Sequence, residues 1–107
     1  MAFKKNEVNA ISEWLIIEFS NLIIVENLFL VGSILDKPLK EVNDIDIVQL
    51  LKKCTKDDLI KHSKNVDSIK KMFLTVFGKS LHITSFTQNE LIAYQNFMRI
   101  NQEIKII

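Results

Sequence analysis

Two aspartates one residue apart, Asp44 and Asp46, follow a Gly32-Ser33 pair across a spacer of ten residues. The Gly-Ser pair ends an apolar run, Leu28 to Val31, and the aspartates open a second one, Asp44 to Leu51. On an extended strand, side chains alternate between faces, so Asp44 and Asp46 point the same way. Their Cα atoms then lie roughly 6.6 Å apart, two rises of about 3.3 Å, and the carboxylates can converge on one site. Two unit charges ~6 Å apart at an effective dielectric of about 20 repel by about 3 kcal/mol. A divalent cation removes that repulsion, and a metal carrying a nucleotide phosphate is the natural candidate. Gly32 lacks the Cβ that would keep a phosphate off the backbone. A short helix starting after it would aim free N–H groups and the Ser33 hydroxyl at phosphate oxygens.

The elements that must position these residues follow from periodicity. Val8, Ile11, Leu15, Phe19 and Leu22 recur at helical spacing, which predicts an amphipathic helix from about residue 6 to 24. Trp14 and Ile16 widen its apolar face. Leu28 to Val31 reads as a buried strand, and Ser33 to Lys37 as a turn or short helix stopped before Pro38. Asp44 to Leu51 is the second strand. Thr55 is placed to cap a long helix with acids in its first turn. That helix carries Leu59, Val66, Ile69, Phe73 and Val76 and ends at Gly78 in the C′ position. Leu81 to Phe86 is a third strand. Thr87 to Glu90 forms a capping box ahead of a last helix bearing Leu91, Tyr94 and Met98. The apolar tail from Ile104 to Ile107 could extend that helix, add an edge strand or meet a partner.

The predicted order is therefore α-β-(short α)-β-α-β-α. It describes an α/β (α+β) fold in which helices cover a small mixed three-strand sheet. The 107 residues suit one domain, residues 1–107, and 48% hydrophobic composition supplies a core. A net charge of +1, with lysines spread along the chain, gives no nucleic-acid footprint. The single cysteine, Cys54, allows no internal disulfide and matches no zinc spacing with His62 and His82; it reads as a small reduced side chain. The N-terminus has no long apolar segment of a signal peptide. Glu18, Asn21, Glu26 and Asn27 interrupt the apolar stretch over residues 14–31, which argues against a membrane span. The chain reads as soluble and cytoplasmic. His62 and the lysines of the long helix, among them Lys70 and Lys71, read as a solvated face.

Gly32-Ser33, ten intervening residues and Asp44-Ile45-Asp46 resemble the signature of the polymerase-β-type nucleotidyltransferase superfamily, most closely its minimal, MNT-type members. The resemblance is strongest over residues 28–50. It implies transfer of a nucleoside monophosphate from an NTP to a hydroxyl with Mg²⁺ or Mn²⁺. Gly32 and Ser33 would bind the nucleotide, and Asp44 and Asp46 would be the metal ligands and catalytic acids. The acceptor in minimal members can be a tyrosine of a HEPN-type toxin partner, which gives an antitoxin-like role. The apolar tail also leaves room for an interface between copies. Two departures stand out. Where the family often has Ala-Arg-Gly after Gly-Ser, this chain has Ile34-Leu35-Asp36-Lys37; Lys37 or Lys40 is left to supply positive charge, and the plain reading of each is a solvated lysine. Active members also place a third carboxylate on the third strand. Here His82 and Thr84 share the relevant face, and His82 is favoured for that position. Imidazole is a poor replacement for an oxygen ligand to Mg²⁺. An inactive relative, retained as a nucleotide-binding or protein-interaction module, is the alternative.

Overall fold

The computed structural model describes residues 5–107. Helix α1 (Lys5–Phe19) leads into strand β1 (Val25–Val31), and two 3₁₀ turns, Ser33–Leu35 and Leu39–Glu41, connect it to β2 (Asp44–Leu51). Helix α2 (Lys56–Phe77) crosses over to β3 (Ser80–Phe86). A 3₁₀ turn, Gln88–Glu90, runs into α3 (Leu91–Ile100), and β4 (Glu103–Lys105) closes the order. The strands form one sheet in the order β3-β2-β1-β4. β1 is antiparallel to β2 and β4, while β2 and β3 are parallel. The mixed α+β class expected from the sequence is therefore present, with four strands among the described residues instead of three.

The fourth strand comes from the apolar tail. The Asn101 side-chain amide donates to the Phe97 carbonyl at 2.8 Å where α3 stops. Beyond it the chain turns back along β1, and Ile106 N–H donates to the Leu28 carbonyl at 2.7 Å. Without the tail, β1 would present an open edge of unpaired backbone groups.

The first helix is shorter than its periodicity predicts, ending at Phe19 instead of about residue 24. The chain turns after Phe19 and enters the sheet at Val25: Ile24 and Val25 are buried, and Lys52 N–H donates to the Ile24 carbonyl at 2.7 Å. β1 consequently starts at Val25, three residues before the predicted Leu28, with a register shift between Val25 and Asn27. Trp14 packs edge-on against Phe73 and Phe77, as an apolar-face residue should, whereas Ile16 is largely exposed.

Alternation along the strands divides the core. Leu28, Leu30, Ile45 and Ile47 face α1 and α2, where Ile11, Leu15, Ile69 and Phe73 meet them. On the other face Phe29, Val31 and Val48 pack with Phe86, Tyr94, Phe97 and Met98. Asp44 and Asp46 share this second face with Val48, at the N-terminal end of β2.

α2 is set by its ends. Thr55 Oγ1 accepts from Asp58 N–H, and Asp58 Oδ2 accepts from Thr55 N–H, both at 3.1 Å. Gly78, at φ 69°, supplies the left-handed residue that ends the helix. Among the described residues no helix is long and apolar enough to cross a membrane.

Candidate functional site

The sheet register brings the two halves of the sequence motif together. Val31 pairs with Asp46 across β1 and β2, so the Gly32-Ser33 turn leaves β1 directly beside the second aspartate. Gly32 has φ 85°, a left-handed value that L side chains rarely adopt. A Cβ there would sit 2.7 Å from Asp46 Oδ2, closer than any real contact. Two independent constraints thus require glycine at this position. Ser33 opens the following 3₁₀ turn, anchored by the buried Ile34 and Leu35, and its own side chain is exposed.

The connection from this turn to β2 is tied to α1. Glu7 Oε1 accepts from Leu39 N–H at 3.0 Å, and Val42 is buried. These anchors fix where the chain re-enters the sheet at Asp44. Lys37 and Lys40 on this connection are exposed and make no ion pair among the described residues.

On the other side of β2, the parallel register pairs Asp44 with Ser80 and Asp46 with His82. His82 Nδ1 lies 3.2 Å from Asp46 Oδ1. A carboxylate can only accept, so Nδ1–H donates to Asp46 and Nε2 is left free of that contact. That ring is well exposed, and Asp46 is half-exposed. Thr84 shares the face but pairs with Val48, one layer further into the sheet. Glu90 lies beyond the opposite end of β3, where its Oε1 accepts from Thr87 N–H at 3.0 Å in a helix-capping role.

Asp44, Asp46, Gly32, Ser33 and His82 are therefore neighbours on one rim of the sheet, contributed by three adjacent strands. Two carboxylates give hard oxygen ligands, and Mg²⁺ is commonly held by one or two carboxylates with phosphate oxygens and water completing its shell. This donor set fits such an ion. It does not form a closed protein cage: among the described residues no three His, Cys, Asp or Glu side chains cluster to hold a metal.

A second polar cluster lies on the opposite face and was not legible as such. His62, expected on the solvated face of the long helix, is only 7% exposed. Its Nε2–H donates to Gln49 Oε1 at 3.0 Å, and Gln49 Nε2 donates to Ser85 Oγ at 2.8 Å. Burial pushes the His62 pKa below its ordinary value of 6.5. The missed signal was spacing: residues 59, 62, 66, 69 and 73 form one i+3/i+4 stripe, and His62 sits inside it. Tyr94, in the aromatic cluster of the other face, is raised above its ordinary value by burial and by Glu103 and Glu26.

Compared with known protein families, with characterised proteins and with solved structures, the chain shows no match.

Proposed function

We propose that the protein binds a metal–nucleoside triphosphate at the Gly32–Asp46 rim and transfers its nucleoside monophosphate to a hydroxyl acceptor. The observation that carries this reading is the seating of Gly32 on the Asp46 carboxylate, with His82 on the far side of the same carboxylate. Glycine lets the Asp46 carboxylate close onto the turn, which sets the turn and Ser33 beside the acid pair where a metal-bound triphosphate would lie. Ser33, exposed at the start of its turn, supplies a hydroxyl donor to a phosphate oxygen. Asp44 and Asp46 would hold Mg²⁺ or Mn²⁺, which neutralises the phosphates and the charge developing on the leaving pyrophosphate.

The chain's own contribution is positioning. Asp46 holds His82 in the tautomer whose Nε2 can accept a proton, and the ring's exposure leaves that atom open to an acceptor hydroxyl. In the transfer, the acceptor oxygen bonds to the α-phosphorus and the bond to the bridging oxygen breaks. Pyrophosphate leaves with the electron pair, and the hydroxyl proton passes to His82 or to water.

The absence of a carboxylate at residue 82 favours a second reading, a nucleotide-binding relative that does not turn over. Incubation with α-labelled ATP, Mg²⁺ or Mn²⁺ and hydroxyl acceptors separates the two; a tyrosine-bearing partner protein is one such acceptor. Label transfer that disappears in Asp44→Asn/Asp46→Asn supports the transferase. Nucleotide binding with no transfer to any acceptor supports the binding module.

A further inference from the structure

A groove of about 380 Å³ follows the open edge of β3, between Asp44, Ser80 and His82 on the sheet side and Lys70, Lys71 and Leu74 on α2. Its position is informative. Gly32 and Ser33 lie on the β1 side of the aspartates, and the groove lies on their β3 side. It shares Asp44 and His82 with the rim but contains neither residue of the Gly-Ser turn. A ligand there would meet the metal-binding aspartates from the side opposite the nucleotide phosphates.

The charges in the groove are ordered. Asp44 and His82 line the sheet side, and two lysines line the other. Lys70 and Lys71 are exposed and have no carboxylate partner among the described residues. Ile69 and Phe73, buried beneath α2, fix the helix rotation that carries both lysines to this edge. Leu74 adds an apolar wall, and the Ser80 hydroxyl can donate or accept. The volume falls near the lower end of small-molecule sites, roughly 300–1,000 Å³.

We propose that this groove binds the acceptor as a low-mass phosphate monoester carrying a free hydroxyl. Its phosphate lies on Lys70 and Lys71, and its hydroxyl faces Asp44 and His82. In the metal-free chain the Asp44 carboxylate repels a phosphate and so disfavours the reverse orientation. Two lysines suit a single phosphate; a polynucleotide needs a longer basic track, which a chain of net charge +1 does not provide. The hydroxyl's role as acceptor rests on the transferase reading, whereas the phosphate site itself requires no metal.

The test uses the metal-free full chain titrated with glycerol 3-phosphate at low salt, followed by calorimetry and NMR shifts. Saturable binding is expected, weakened at least about tenfold in Lys70→Gln/Lys71→Gln and retained in Lys70→Arg/Lys71→Arg. Mg·ATP affinity should stay within about twofold of wild type in the glutamine variant, which also shows that it is folded. Absence of binding, equal affinity in the glutamine variant, or markedly tighter binding of a single-stranded oligonucleotide to the same lysines overturns the proposal. Wild-type protein that binds glycerol 3-phosphate but not Mg·ATP would overturn the transferase reading and leave the phosphate site standing.

Discussion

Gly32 owes its identity to Asp46. Its φ of 85° is open to glycine at no steric penalty, and the space a side chain would need is filled by a carboxylate oxygen. Gly32→Ala should therefore destabilise the fold by about 1–3 kcal/mol from the backbone strain alone. It should also weaken Mg·ATP binding, because relief of the 2.7 Å approach must move Asp46. Urea denaturation and calorimetry on one preparation check both effects; a variant of wild-type stability and affinity would show that the turn is free to rearrange. His82 makes a complementary prediction. Its register beside Asp46 means that His82→Asp adds a third hard-oxygen ligand to the rim. That substitution should tighten Mg²⁺ binding by about tenfold or more, whereas His82→Ala should not. Isothermal titration with Mg²⁺ separates them, and equal affinities would place residue 82 outside the metal shell.

At the scale of elements, α2 is tied to β2 by more than apolar packing. His62 donates to Gln49, which donates to Ser85, so helix, central strand and edge strand share one hydrogen-bonded chain. His62→Leu keeps the bulk but leaves the buried Gln49 oxygen unpaired, at an expected loss of about 1–3 kcal/mol. The histidine also sets a pH dependence. Its folded pKa lies below 6.5, so in the range between the two values the unfolded chain binds more protons. Stability is then complete above about pH 6.5 and declines as pH falls from there towards the folded value. His62→Leu should lose this contribution to the acid limb of the stability curve, and an unchanged limb would assign it to other groups. The same helix shows what was legible in the sequence. Its capping box was only partly visible, as a Thr55 cap with acids behind it, and its Gly78 terminus was read correctly, because local hydrogen-bond chemistry dictates both. The burial of His62 follows from its place in the apolar stripe, which outweighs the polar character that suggests a solvated residue. The end of α1 was misplaced for a related reason. Leu22 continues the helical period, but pairing with β2 claims Ile24 and Val25, and no local signal reports that competition.

For the whole molecule, the sheet places the proposed site at one rim and the last strand at an edge. β4 and the residues after it cover the free side of β1, with Ile104, Ile106 and Ile107 packed against the main core. Truncation after Asn101 removes that cover. The loss should be about 3 kcal/mol for three partly buried isoleucines, and the exposed β1 edge should promote self-association. Denaturant unfolding with sedimentation velocity tests this; a monomer of unchanged stability would mean that β4 is dispensable. The aspartates keep their places in such a variant's sequence, but β1, which carries Gly32 to Asp46, loses its outer neighbour. The site thus depends on the sheet as a unit. The sequence pointed to these residues, His82 among them, and only the structure reveals that the Lys70–Lys71 groove adjoins them. The proposed function stands or falls on whether Asp44 and Asp46, with Gly32 against them, hold a metal–nucleotide. Calorimetric titration of Mg·ATP into wild type and Asp44→Asn/Asp46→Asn tests it most directly. Saturable binding by wild type and none by the folded variant is the predicted result; equal binding by both, or no binding by wild type, would contradict it.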